Sequence, residues 1–232
     1  MPFTTQQFFD VFRRYNATVW PMQWVLAGVG LAAVLVAFRR STRATRIVLV
    51  LLASLWLWMA LGYHLAFFAS INRAAILFAA LFVGESGLFL WAAAHAGHFR
   101  FEPRLDLHGI TGGAIIATAL IGYPILSYAV GHRYPATPTF GLPCPTTMLT
   151  LGLLLWTEPH VPRRLVAIPV LWSIVGVMAA IRFGATEDYA LLVSGLLASC
   201  VLIATNRPSA SRRDATRNVR RAEPIRHPDS VY

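Results

Sequence analysis

The chain has 232 residues, 56% of them hydrophobic and only 13% charged, with a mean hydropathy of +0.57. A soluble domain carries about 25% charged residues, so composition sets aside a water-soluble globular fold and places the chain among membrane proteins. The net charge is +10 and all 20 basic residues are arginines. They lie between apolar runs or in the tail, as topology signals do, which argues against a nucleic-acid binder, and without lysine there is no retinal Schiff base.

Residues 1–18 read as an amphipathic interfacial helix. Thr4 and Gln7 fit a capping box, and Phe8, Val11, Phe12 and Tyr15 share one helical face, with Arg13 and Arg14 on another. The segment is expected to lie on the outer surface or to fold over the mouth of the bundle. It lacks a short apolar core with a small-residue cleavage site, so no cleavable signal is expected.

Seven apolar runs follow: Trp20–Phe38, Ile47–Phe68, Ala74–Ala96, His108–Val130, Cys144–Trp156, Leu165–Ile181 and Tyr189–Thr205. A span needs roughly 20 apolar residues. The fifth run covers only about 20 Å as a helix, and is tilted, extended through Thr157–His160, or re-entrant. Arg39, Arg40, Arg43, Arg46, Arg100, Arg104, Arg163, Arg164 and the seven tail arginines fall on one side of a seven-span scheme. Arg13, Arg14, Arg73, Arg133 and Arg182 fall on the other. The positive-inside rule puts the larger set in the cytoplasm. The expected fold is therefore all-α: a polytopic bundle of about seven transmembrane helices, N-out and C-in, in a bacterial-type inner (plasma) membrane. Its parts are an interfacial helix (1–18), the transmembrane domain (19–205) and a disordered Arg-rich cytoplasmic tail (206–232). The tail is read as a solvated topology determinant, with anionic lipid as a candidate contact. No internal repeat stands out, and an odd span count argues against a simple inverted-repeat transporter.

Glu85 is the acidic residue placed deep inside a span, about 16 Å along the third. Ionisable groups at such depth are costly and functional by default; the bland alternative is a neutral acid joining helices. Gly84, Ser86 and Gly87 permit close helix contact around it, and Trp58, Thr118 and Ser173 lie at similar depth as candidate partners. A second polar group gathers on the outer side: Tyr63, His64, Tyr123, His132, Arg133, Cys144, Thr146, Thr147, Glu187 and Asp188. An aromatic belt accounts for the tyrosines in it, but less well for His64 and the His132–Thr147 loop. Cys144 fits a helix N-cap with Pro145 at the first helical position. Free N–H groups there favour an anion, and His64 or His132 beside the thiol would suit a soft metal; a plain helix start is the alternative. Cys200, mid-way down the last run, reads as a small buried apolar residue too far from Cys144 for a disulfide. His108 and His132 are 24 residues apart, about 36 Å, too far to hold two haems within one bilayer core. No metal or cofactor is assigned.

Several phrases resemble the uncharacterised integral membrane family known as domain of unknown function 6064. They are Phe8–Phe9–Asp10 with Tyr15–Asn16 and Trp20–Pro21, Tyr63–His64, the string from Gly131 through Tyr134–Pro135 and Pro138–Gly141 to Pro143–Thr147, and Glu187–Asp188–Tyr189. The likeness runs to about residue 200, without the arginine tail. It implies an integral membrane protein with the outer cluster as its signature, and no activity. The residues themselves leave three readings. The first is a small-solute or ion transporter, channel or sensor with an extracytoplasmic polar site and a protonatable Glu85. The second is a structural or assembly subunit of the membrane. The third is a membrane-embedded thiol or metal enzyme, for which neither His-Glu-x-x-His nor Gly-x-Ser-x-Gly is present.

Overall fold

The computed structural model describes residues 3–159 and 163–205. The arginine tail, with its expected disorder and lipid contact, lies outside them. The described chain is helical. Helix α1 (Thr5–Thr18) begins in the expected capping box: Thr4 Oγ1 accepts from the Gln7 N–H at 3.2 Å, and Gln7 Oε1 accepts from the Thr4 N–H at 2.8 Å. Its Phe8, Val11, Phe12 and Tyr15 are buried along one face. Helix α2 (Met22–Ala37) leaves it at 88°, so α1 lies across one end of the bundle.

Helix α3 (Thr42–Trp58) is capped by Ser41 and runs on as a π-helical segment, Met59–Leu65, and a 3-10 turn, Phe68–Ser70. Helix α4 (Ala75–Ala94) follows. Asp106 caps α5 (Leu107–Ala117), which continues through a second π-helical segment, Thr118–Gly122, into α6 (Tyr123–Ala129). Then come α7 (Pro143–Leu154), α8 (Arg163–Phe183) and, after a 3-10 turn over Thr186–Asp188, α9 (Tyr189–Thr205).

Among the described residues, five helical stretches are long and apolar enough to cross a membrane: 42–70, 75–94, 107–129, 163–183 and 186–203. The bent pair α1–α2 makes a sixth if taken as one element. Seven helices stand where seven runs were expected, but α2 and α7, at 16 and 12 residues, fall short on length. Exposed Trp24, Leu35, Ile76, Ile110, Ile121, Ile174 and Leu196 give the bundle an apolar exterior, the reverse of a water-soluble surface.

The shortness of α7 has a physical reason. Residues 141–157 are buried throughout except for half-buried Cys144, and α7 packs against α2, α3, α5, α8 and α9. A helix enclosed by protein needs neither a lipid-length apolar belt nor an amphipathic face. It carries threonines instead: Thr150 Oγ1 donates to the Thr146 carbonyl and accepts from Trp56 Nε1 at 3.1 Å. The α5–α7 crossing is close because Gly112 and Gly152 face each other; a Cβ on either would sit within 2.7 Å of the other's carbonyl oxygen. The helical extension through Thr157–His160 does not form over its described part. Instead β2 (Thr157–Glu158) pairs antiparallel with β1 (Arg100–Phe101). This two-stranded ladder closes the end opposite α1, where Arg40 donates to the Pro103 carbonyl and Trp156 Nε1 to the Gly109 carbonyl. Cys200 is exposed on α9, not buried: α9 is a peripheral helix and that face points outward.

Candidate functional site

Beneath α1 lies a cavity of about 190 Å³. Phe3, Phe8 and Phe12 cover it from the α1 side, while Phe68, Phe78 and Phe183 wall it. Phe8 stacks on Phe183 with centroids 4.7 Å apart, and Phe3 stacks on the same ring at 5.1 Å. The polar residues lining the cavity are Tyr63, His64, Asn72, Cys144, Trp172 and Asp188.

His64 is 1% exposed and sits in an aromatic box, 4.8 Å from Phe82, 5.3 Å from Trp172 and 5.7 Å from Phe78 between ring centroids. Neither ring nitrogen has a hydrogen-bond partner among the described residues, and the same holds for Trp172 Nε1. A buried polar atom without a partner costs about 1–3 kcal/mol. Such groups are rare in folded proteins and call for a specific account. The π-helical segment explains how Tyr63 and His64 both come to be buried: its wider turn narrows the angle between successive side chains, and such segments recur at functional sites.

Asp188, 2% exposed, is held from behind. Its Oδ1 accepts from the Tyr123 hydroxyl at 2.5 Å, and the Cys144 thiol hydrogen-bonds the same carboxylate. The second π-helical segment ends at Gly122, directly before Tyr123. The neighbouring carboxylate turns elsewhere: Glu187 accepts from Ser127 Oγ at 3.1 Å and meets His132 Nδ1 at 2.9 Å, while Ser127 shares a hydrogen bond with Thr137 at 2.6 Å.

The expected outer cluster therefore divides. Tyr63, His64, Cys144 and Asp188 line the cavity, with Tyr123 behind them. His132 and Glu187 form a separate pair under the 131–142 loop. Arg133 lies over the Tyr128 ring and donates to the Tyr128 carbonyl, away from the cavity. Thr146 accepts from the Gly141 N–H in the turn that starts α7, and Thr147 is buried without a partner among the described residues; neither lines the cavity. Cys144 is not the N-cap. Leu142 occupies that place and Pro143 the first helical position, because two prolines fit within a first turn that needs no N–H donors.

Glu85 is fully buried with both oxygens unpartnered among the described residues, but it does not line the cavity. Phe82, one turn nearer the α1 end, packs on both His64 and Trp172. The expected partners are engaged elsewhere: Trp58 Nε1 donates to Tyr15, Thr118 to the Ala114 carbonyl and Ser173 to the Val170 carbonyl. No three His, Cys, Asp or Glu side chains converge as a metal site among the described residues.

Two residues of weight were not foreseen. Trp172 reads in sequence as one more apolar residue of a span. Asn16 ties α1 down: its Nδ2 donates to the Pro135 and Thr137 carbonyls at 2.7 and 2.8 Å, its Oδ1 accepts from Thr139, and its carbonyl accepts from Gln23 and Tyr134. A buried asparagine at the end of an amphipathic helix is a signal for such a knot. Tyr15 adds a bond from Trp58 at 2.8 Å, and burial pushes its hydroxyl pKa up to about 12, opposed by that bond.

A search of curated proteins and one of solved structures return no match. A protein family, described as a family of unknown function, matches residues 5–213. That range holds every residue of the cavity except Phe3 and reaches past residue 200 to take in Arg207, Arg212 and Arg213. With most of its length so matched, the chain belongs to the DUF6064 family.

Proposed function

We propose that the chain is a multi-pass protein of a bacterial-type inner membrane, N-out and C-in, that binds a small solute in its extracytoplasmic half as a sensor or carrier. The observation that carries this reading is a pair of groups more than nine-tenths buried and without a hydrogen-bond partner among the described residues, His64 and Trp172, lining one aromatic cavity. The volume is slightly above the roughly 150 Å³ of an apolar cavity that accepts benzene. Trp172 offers a donor only, and a neutral His64 offers one donor and one acceptor. The fitting ligand is a compact, neutral, largely apolar molecule with an oxygen or nitrogen acceptor. Negative charge on the ligand is disfavoured beside the Asp188 carboxyl and the faces of the phenylalanines. The cover provided by α1 supports an occluded site rather than an open channel, and Glu85 lies outside the lining, three residues along α4 from Phe82, which packs on His64 and Trp172.

Ligand-induced thermal stabilisation of the detergent-purified protein, screened with neutral ring compounds carrying one acceptor, tests this. Hits should stabilise the wild type, and His64→Phe and Trp172→Phe should each abolish the shift. A screen whose hits act equally on both variants would remove the cavity from the account.

A further inference from the structure

At the end opposite α1, the last turn of α4 and the first turn of α8 enclose a groove of about 370 Å³. Arg163, Arg164, His95 and His98 line it beside Leu88 and Trp91. The Arg164 guanidinium lies 6.0 Å from the Trp91 ring centroid. Among the described residues no carboxylate lines this groove. The acids at this end are engaged elsewhere: Glu102 pairs with Arg100, and Asp106 and Glu158 pair with Arg104, beyond His98.

Two cations in the first turn of α8 are electrostatically adverse, because the helix N-terminus already carries partial positive charge. That turn contains no acidic residue, and neither arginine makes an ion pair among the described residues. An anion seated there relieves both the mutual repulsion and the dipole. The groove also has an apolar side, since Leu88, Trp91 and Leu165 line it and Trp91 is 52% exposed. A free phosphate uses none of that surface; a lipid with an anionic headgroup uses all of it.

We propose that this groove binds an anionic phospholipid, its phosphate between Arg163 and Arg164 and an acyl chain along Trp91 and Leu88. The proposal needs α4 and α8 to lie in lipid, and is independent of the cavity under α1.

The test is thermal unfolding of the detergent-purified full chain titrated with phosphatidylglycerol, phosphatidylcholine or inorganic phosphate. Phosphatidylglycerol alone should stabilise saturably. Its half-saturating concentration should rise about five-fold in Arg163→Gln or Arg164→Gln, and multiplicatively in the double variant. Arg100→Gln, at the paired cluster, should leave it unchanged. Equal stabilisation by phosphatidylcholine, the same effect from inorganic phosphate, or an unshifted midpoint in both single variants would each overturn the proposal.

Discussion

At the scale of single residues, the cavity carries polar groups that burden the fold. Among the described residues the His64 and Trp172 nitrogens have no hydrogen-bond partner, at about 1–3 kcal/mol each. Replacing His64 by phenylalanine, in a box already made of rings, should therefore raise the unfolding temperature of the unliganded protein while ligand response is lost. A fall in that temperature would mean the imidazole is satisfied and structural. Glu85 differs in kind. Phe82→Ala should join its surroundings to the cavity, at a cost of about 3–5 kcal/mol, and solvent exchange at Glu85, followed by carboxyl infrared bands, should quicken. His64 and Cys144 were legible as candidate residues because histidine and cysteine are conspicuous at the end of apolar runs, and both line the cavity. Trp172 was not, since an indole in a span reads as packing until its N–H is seen without a partner. Thr146 and Arg133 were legible as polar outer residues, yet polarity did not distinguish a group that starts a helix or covers a tyrosine from one that faces a ligand.

At the scale of elements, α1 is the part that covers the cavity. It is joined to α2 at a sharp bend and held by Asn16, by Tyr15 and by phenylalanine stacking. Asn16→Ala leaves several carbonyl and side-chain partners unmet and should weaken α1 docking by about 2 kcal/mol or more. Faster amide exchange in residues 5–18, with the rest of the bundle unchanged, is the expected readout. Tyr15 sets a pH window. Its folded pKa, about 12, lies above the ordinary 10.0, so the contribution to docking is complete below about pH 10 and lost as pH rises towards 12. Tyr15→Phe should abolish that part of the alkaline transition; an identical transition would show that Tyr15 does not control it. The capping box and the buried stripe of α1 were readable from spacing alone. The π-helical segments were not, because nothing in Met59–Leu65 or Thr118–Gly122 breaks an α-helical pattern; the widening follows from what Tyr63, His64 and Tyr123 pack against.

At the scale of the whole molecule, an apolar exterior surrounds a threonine-bearing central helix. The sequence makes α7 the weakest of seven runs, and its placement explains why: α7 is enclosed by the other helices and has almost no exposed surface. Its Gly152 meets Gly112 backbone to backbone, so Gly152→Leu should prevent the α5–α7 crossing and lower the yield of folded protein, with Gly152→Ala costing about 1–3 kcal/mol. An all-helical chain with several apolar helices long enough to cross a membrane could be anticipated from composition and run length, while the cavity could not. Helix order follows from local composition; the cavity arises where α1, α3, α4, α7 and α8 meet, and no local pattern encodes that meeting.

The most direct test labels Cys144 in a Cys200→Ser background with a small membrane-impermeant thiol reagent, applied to one face of sealed vesicles at a time. The account predicts modification from the extracytoplasmic face only, slow in the parent and at least several-fold faster when Asn16→Ala loosens α1. Labelling from the cytoplasmic face, or a rate indifferent to Asn16, would contradict it.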